Sequence, residues 1–299
     1  MYYLIYSLLY TLSLLPFPII YFLADGIYFL MYYVVGYRKT IVMQNLLIAF
    51  PEKSNKERIC IAKDFYHGFV DTFIETIKLI SISKKTFLKR VDGNYEMVNE
   101  LAKKGKNIQL QCGHHFNWEY VNWFVDLKII IPFFGIYMPI TNKSLNKVFY
   151  KIRSRFGTRL VSVFEFKNRR DELLQQQYTI GLAADQNPSR PWDAYWLNFF
   201  SKPAPFVSGP AKGAIKNNTA VVFVQFKKLQ RGRYYFHHEL ITENAAECTE
   251  QQLTIQYRDF LEKAIREQPA NYLWSHRRWK WEYKSEYAHL WIDGDVPKM

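Results

Sequence analysis

Asn107-Ile108-Gln109-Leu110-Gln111-Cys112-Gly113-His114-His115-Phe116-Asn117-Trp118-Glu119 is the stretch on which the reading of the chain turns. Apolar and polar side chains alternate over 107–112, which predicts a strand. Gly113 ends it. Residues 117–126 read as a helix with Asn117 in the N-cap position. A strand passing through a glycine turn into a helix is the building unit of α/β layers.

The same succession continues downstream. The apolar run Ile129 to Met138 is strand-like and is interrupted by Pro132 and Gly135. A helix is predicted over 143–156, a short strand near 160–163 and a helix over 166–176. A strand over 179–184 runs into Asp185-Gln186-Asn187-Pro188. Small residues suggest a helix over 209–217. Strands follow at 220–226 and 234–241, paired across the Arg231-Gly232 turn, and then a long helix over 249–268. Upstream, 38–50 has apolar positions at helical spacing and stops at Pro51. A helix over 54–80 has Ser54 as its cap and Ile59, Phe65, Phe69, Phe73 and Ile77 as its apolar face. The fold class is α/β, a central sheet flanked by helices, with no internal repeat and no linker after residue 38.

The chain has 299 residues, of which 49% are hydrophobic and 18% aromatic, so disorder is excluded for most of it. Its net charge of +13 suits nucleic acid, an anionic membrane surface or an acidic substrate or carrier. No helix-turn-helix, zinc-finger or aromatic RNA-binding pattern is present, so nucleic acid drops out. Cys60, Cys112 and Cys248 are far apart and odd in number, which argues against a disulfide framework and for a reducing compartment.

The membrane option gains weight from the N-terminus. Residues 1–24 carry no charged side chain, and as one helix they would reach ~36 Å against a hydrocarbon core of ~30 Å. Tyr2, Tyr3, Tyr6 and Tyr10 suit a membrane interface, while Pro16 and Pro18 break or kink the helix. A second uncharged run, Gly26 to Tyr37, is too short to span alone. Residues 1–37 are read as a membrane anchor, either spanning or lying kinked in one leaflet, and 38–299 as the catalytic domain. Arg38 and Lys39 close the anchor, which places the domain on the cytoplasmic side. A signal peptide would need a basic n-region and a cleavage site that are not evident here. A buried hairpin of a soluble protein is the other alternative.

Chemistry concentrates after the first core strand. His114 lies on the glycine turn, and Glu119 lies in the first helical turn, where the dipole favours a carboxylate. A neutral imidazole can take the proton of an attacking hydroxyl while a carboxylate fixes its tautomer. Two rivals stand beside this pair. His115 and Glu119 are four apart, a same-face spacing if the helix begins at 115, and Cys112 offers a thiol nucleophile. His114, His115 and Glu119 lack a further metal-ligand pattern. No G-x-S-x-G elbow occurs, which favours direct hydroxyl attack over an acyl-serine route.

Four stretches carry a resemblance to the late acyltransferases of lipid A biosynthesis, within the lysophospholipid acyltransferase class. They are Gly36-Tyr37-Arg38-Lys39 through Asn45-Leu46 to Ala49-Phe50-Pro51; Gly113-His114-x-x-Asn117-Trp118-Glu119; Ala184-Asp185-Gln186 with Phe199-Phe200-Ser201 and Pro205-x-x-x-Gly209-Pro210; and Pro269 with Trp274-Ser275-His276-Arg277-Arg278-Trp279-Lys280. Their order spans most of the chain. The family's H-x-x-x-x-(D/E) spacing is what selects His114 over His115. The chain departs at Phe116, where the family has glycine, so the loop beside the base is expected to differ in shape.

The resemblance implies a glycerolipid-acyltransferase-like fold with a mixed central sheet. It implies transfer of a fatty acyl chain, usually from acyl carrier protein, to a hydroxyl of an anionic lipid at the cytoplasmic face of the inner membrane. It makes His114 the general base and Glu119 its orienting carboxylate, with Asp185, Arg153 and Asn117 in supporting or substrate-binding roles and no metal or organic cofactor. Arg155 is the weaker of the two arginines before Phe156-Gly157. His276, Arg277, Arg278 and Lys280, interleaved with Trp274, Trp279 and Trp281, read either as an interfacial or phosphate-binding patch or as an exposed basic tail. His67, His237, His238 and His289 are read as structural or surface residues. The alternative activities are acylation of another membrane lipid, such as a glycerolipid or aminolipid, and a membrane-anchored thioesterase or hydrolase. A non-catalytic basic membrane adaptor is the reading outside enzymes.

Overall fold

A computed structural model describes residues 1–297, apart from the side chain of Asp171. Helices α1 (Tyr2–Leu14) and α2 (Phe17–Phe29) are followed by a π-helical turn, Leu30–Val35, and then by α3 (Lys39–Ala49) and α4 (Asn55–Lys78). Next come α5 (Lys84–Leu88), β1 (Val91–Gly93), α6 (Glu96–Lys103), β2 (Ile108–Cys112), α7 (Trp118–Lys128), β3 (Phe133–Tyr137), α8 (Lys143–Arg153) and β4 (Arg159–Ser162). The chain continues with α9 (Val163–Leu173), β5 (Thr179–Ala183), the hairpin β6 (Ala194–Phe199) and β7 (Lys202–Val207), α10 (Gly209–Lys216), β8 (Ala220–Gln230), β9 (Arg233–Thr242) and α11 (Glu250–Glu267).

Seven strands form the central sheet in the order β1-β9-β8-β2-β5-β3-β4. Every neighbouring pair is parallel except β8 with β9, so the sheet is mixed, as expected. The first half of β8, Ala220 to Val224, is a continuous apolar run because both its faces are buried there. Val221 and Phe223 enter the core beneath α3, α4 and α11, while Val222, Val224 and Phe226 enter the core beneath α5, α6 and α7. In β2, Ile108 and Leu110 join that second core. Gln109 on the opposite face is buried too, and its amide donates to the Pro210 carbonyl at 3.0 Å.

The N-terminal segment is docked along α4. Ile20 and Ala24 pack on Val70 and Ile74. Pro16 and Pro18 break the helix and leave carbonyls without helical donors. Lys78 supplies them, donating to Ser13 O at 2.6 Å and to Leu15 O at 2.7 Å, and the Ser81 hydroxyl adds a third bond to Ser13 O. Arg231, in the β8–β9 turn, bridges Asp25 of α2 and Asp71 of α4 at 2.6 and 2.7 Å. The outer side of the segment stays apolar and exposed, with Leu4, Leu8, Phe22, Val34 and Val35 uncovered. Phe17–Val35 is long and apolar enough to cross a membrane. The change of direction near residue 37 uses two left-handed residues, Gly36 (φ +63°) and Arg38 (φ +51°).

One expected helix face differs. Ser54 caps α4 through a capping box with Glu57, and Phe65 and Phe69 are buried, but Phe73 is 42% exposed. It leans on Phe69 and Trp118 from outside the core.

Candidate active site

The register of β2 and β5 builds the site. Cys112 pairs with Ala183, so the residues two positions beyond each strand, His114 and Asp185, emerge side by side at the carboxyl end of the sheet. His114 Nδ1 lies 2.6 Å from Asp185 Oδ1, and the His114 amide donates to Oδ2 at 3.1 Å. An ionised carboxylate only accepts, so Nδ1 carries the proton and Nε2 is left for a substrate. Burial pushes the imidazolium of His114 down, but the charge and hydrogen bond of Asp185, with the charge of Glu119, outweigh it and hold its pKa above the ordinary value. Burial opposes ionisation of Asp185, yet the adjoining His114 charge and the bonds from its ring and amide keep its carboxyl well below the usual range.

Glu119 does not occupy the place expected of it beside the imidazole. It is buried in the first turn of α7 and forms a two-pronged ion pair with Arg153, the last residue of α8: Nε donates to Oε2 at 2.8 Å and Nη2 to Oε1. The carboxylate in contact with His114 is Asp185, since a residue in the helix turns away from a ring held by the neighbouring strand end. Glu119 acts on His114 only through its charge. Arg155 is elsewhere, donating to the Leu79 and Ile80 carbonyls.

The rivals are separated by burial. His115 is 1% exposed, lies against Phe226 and Tyr272, and has neither ring nitrogen hydrogen-bonded. Burial lowers its pKa to about 4, so it is a neutral core residue. Burial pushes the Cys112 thiol far up, opposing a thiolate. Gly113 has no room for a side chain, because a Cβ there would lie 2.6 Å from Leu261 Cδ1.

Asn117 caps α7, its Oδ1 accepting from the Glu119 and Tyr120 amides. Its Nδ2 donates to Glu75 Oε2 at 2.9 Å, an atom that also accepts from Tyr234 OH at 2.8 Å, while Glu75 Oε1 accepts from Tyr21 OH at 2.9 Å. Burial and the neighbouring Asp71 raise the pKa of Glu75. The sequence reading missed Glu75. Its signal was two carboxylates, Asp71 and Glu75, interleaved with the apolar positions of α4. Phe116, the departure from the family's glycine, points into the core against Phe65 and Gly68.

The C-terminal stretch braces the site. Leu273 N donates to His114 O, Phe116 N to Asn271 O, and Asn187 N to His276 Nε2. Arg278 is 1% exposed, with its guanidinium 5.0 Å from the Phe199 ring centre and 4.3 Å from that of Phe206, so the basic patch read there shrinks to Arg277 and Lys280.

His114, Glu119, Arg153 and Gln186 border a cleft of about 490 Å³ whose walls are otherwise mostly apolar, among them Trp118, Phe133, Ile136 and Leu160. Among the described residues no cluster of His, Cys, Asp and Glu could hold a metal ion. A basic imidazole on a carboxylate, a half-buried guanidinium and an apolar cleft suit general-base chemistry on a substrate with a long apolar part. The family model for bacterial lipid A biosynthesis acyltransferase matches residues 1–281. Comparison with curated proteins gives no match.

Proposed function

Because the chain belongs to the bacterial lipid A biosynthesis acyltransferase family and is therefore an acyltransferase acting with an acyl donor and a lipid acceptor, we propose that it moves a fatty acyl chain from acyl carrier protein to a hydroxyl of a lipid A precursor. The reaction takes place at the inner membrane, with residues 1–37 as anchor and the domain that follows facing the cytoplasm. His114 is the general base. The observation that carries this is the pairing of His114 Nδ1 with Asp185, which leaves Nε2 basic and available at an apolar cleft.

The acceptor hydroxyl gives its proton to Nε2 as its oxygen attacks the thioester carbonyl. Asp185 offsets the positive charge gained by the ring. The tetrahedral intermediate collapses, the C–S bond breaks, and the imidazolium returns the proton to the departing thiolate. General-base assistance of this kind contributes on the order of 10²–10⁴ in rate. Arg153 borders the cleft, and its Nη1 has no partner among the described residues, which suits it to the developing oxyanion. Glu119 holds that guanidinium in place. The acyl chain lies along the apolar wall.

Purified protein supplied with acyl carrier protein thioesters and a panel of acceptor lipids tests the reading by mass spectrometry. An acyl mass increment on the lipid A precursor, lost in His114→Ala, is the expected outcome. Transfer to a glycerolipid or aminolipid instead, or fatty acid released to water faster than lipid is acylated, would overturn it.

A further inference from the structure

A second concavity, about 790 Å³ in volume, lies between α3 and the C-terminal stretch, away from His114. Arg38, Lys39, Lys202, Arg277 and Lys280 line it, and among the described residues no carboxylate does. All five are exposed, and none forms an ion pair among the described residues. Five like charges around one hollow repel one another unless an anion sits among them. The N-terminus of α3 opens into the same hollow through Thr40 and Ile41. That helix has no side-chain cap and no acidic residue in its first turn. Lys39 N donates to Gly36 O at 3.1 Å, while the Thr40 and Ile41 amides and the helix dipole are left without a partner among the described residues.

The position of the hollow selects the anion's source. Gly36, which ends the apolar segment, and Leu47, exposed on α3, form part of its wall, so it opens where the membrane-facing surface stops. On its inner side, Arg38 Nη1 donates to Ser275 O and Asn45 Nδ2 to His276 O. From the other side, Asn187 donates its amide hydrogen to His276 Nε2 and its Nδ2 to Arg277 O. Residues 275–277 therefore bridge the wall of the hollow and the loop that carries Asp185.

We propose that this hollow is a phosphate-binding site that takes the phosphomonoester headgroup of the lipid acceptor and holds the acceptor beside the acylation cleft. The proposal rests on the acceptor reading given above. Guanidinium and ammonium groups supply charge-assisted bonds to the phosphate oxygens, and the α3 amides supply more.

The test uses the full-length protein and vesicle flotation. Phosphatidylcholine vesicles doped with phosphatidic acid are compared with vesicles doped with phosphatidylglycerol at matched surface charge. The wild type is expected to prefer phosphatidic acid and to be displaced by inorganic phosphate. Lys202→Gln with Arg277→Gln is expected to weaken binding to phosphatidic acid on the order of 10–100-fold, less than two buried charged hydrogen bonds would give because both side chains are exposed, and to raise the KM for the acceptor more than it lowers kcat. Lys84→Gln with Lys85→Gln removes the same charge elsewhere and is expected to change neither. Equal losses in both pairs, no preference in the wild type, or loss of affinity for acyl carrier protein with vesicle binding intact would overturn the proposal. Intact phosphatidic acid binding without acylation of a lipid A precursor would leave the site standing and remove the acceptor assignment instead.

Discussion

Asp185→Asn separates the two carboxylates that compete for the role of orienting His114. The substitution keeps the side-chain volume at a position 1% exposed and removes the charge 2.6 Å from Nδ1. The amide nitrogen of asparagine can donate to Nδ1, which drives the ring proton to Nε2 and produces the tautomer unable to act as a base towards the cleft. The expected loss in kcat is on the order of 10²–10⁴. The pH profile supplies an independent readout. With His114 as the proposed base, activity needs the neutral imidazole, so in the wild type kcat/KM is expected to fall as pH drops below the raised pKa of His114. Without Asp185 only burial and the more distant Glu119 act on His114, and the acid limb is expected to move to lower pH. Glu119→Gln, measured beside it, is expected to move the limb less, because Glu119 meets Arg153 and not the ring. The assay is steady-state acyl transfer across pH, with folding checked by circular dichroism. The reasoning fails if Asp185→Asn keeps kcat within about threefold of wild type with an unmoved acid limb while Glu119→Gln carries the loss.

Arg153→Met leaves Glu119 buried without its cation and is expected to cost about 3–5 kcal/mol in denaturant unfolding in detergent. Adding Glu119→Gln should restore much of this, and no recovery would mean that the pair is not coupled. Gly68→Ala places a Cβ 2.7 Å from the Phe116 ring. Its expected cost is about 1–3 kcal/mol by overpacking, relieved by adding Phe116→Leu, whereas an unchanged unfolding midpoint would contradict the packing described. Cys112→Ala is expected to keep most of the transferase activity, since burial holds the thiol protonated; a loss matching that of His114→Ala would restore the thiol route.

The strand over 107–112, the cap at Asn117 and the helix that follows were legible in the sequence because neighbours along the chain make them. The long helices α4 and α11 were legible through period and capping. Several short elements were not: β1, α5, α6 and the β6–β7 hairpin went unpredicted, since a few residues carry little periodicity unless turn residues mark them off, as they do for β2 and β5. Phe73 fits the apolar face by spacing and is exposed nonetheless, because spacing names a face of the helix and not where its cover ends.

By itself the sequence determined an α/β chain with an apolar N-terminus, a histidine on a strand-end glycine turn and a carboxylate in the next helical turn, all set by residues a few positions apart. The tertiary structure decided which carboxylate touches that histidine. Asp185 lies 71 positions away and arrives only because β5 pairs with β2 in the register Cys112 to Ala183. Strand pairing order is fixed by the packing of the whole sheet, so no local pattern around His114 could announce it. The same packing turned His115 into the core, sent Glu119 to Arg153, buried Arg278 and gathered cations from the start of α3, from β7 and from the C-terminal stretch around one hollow.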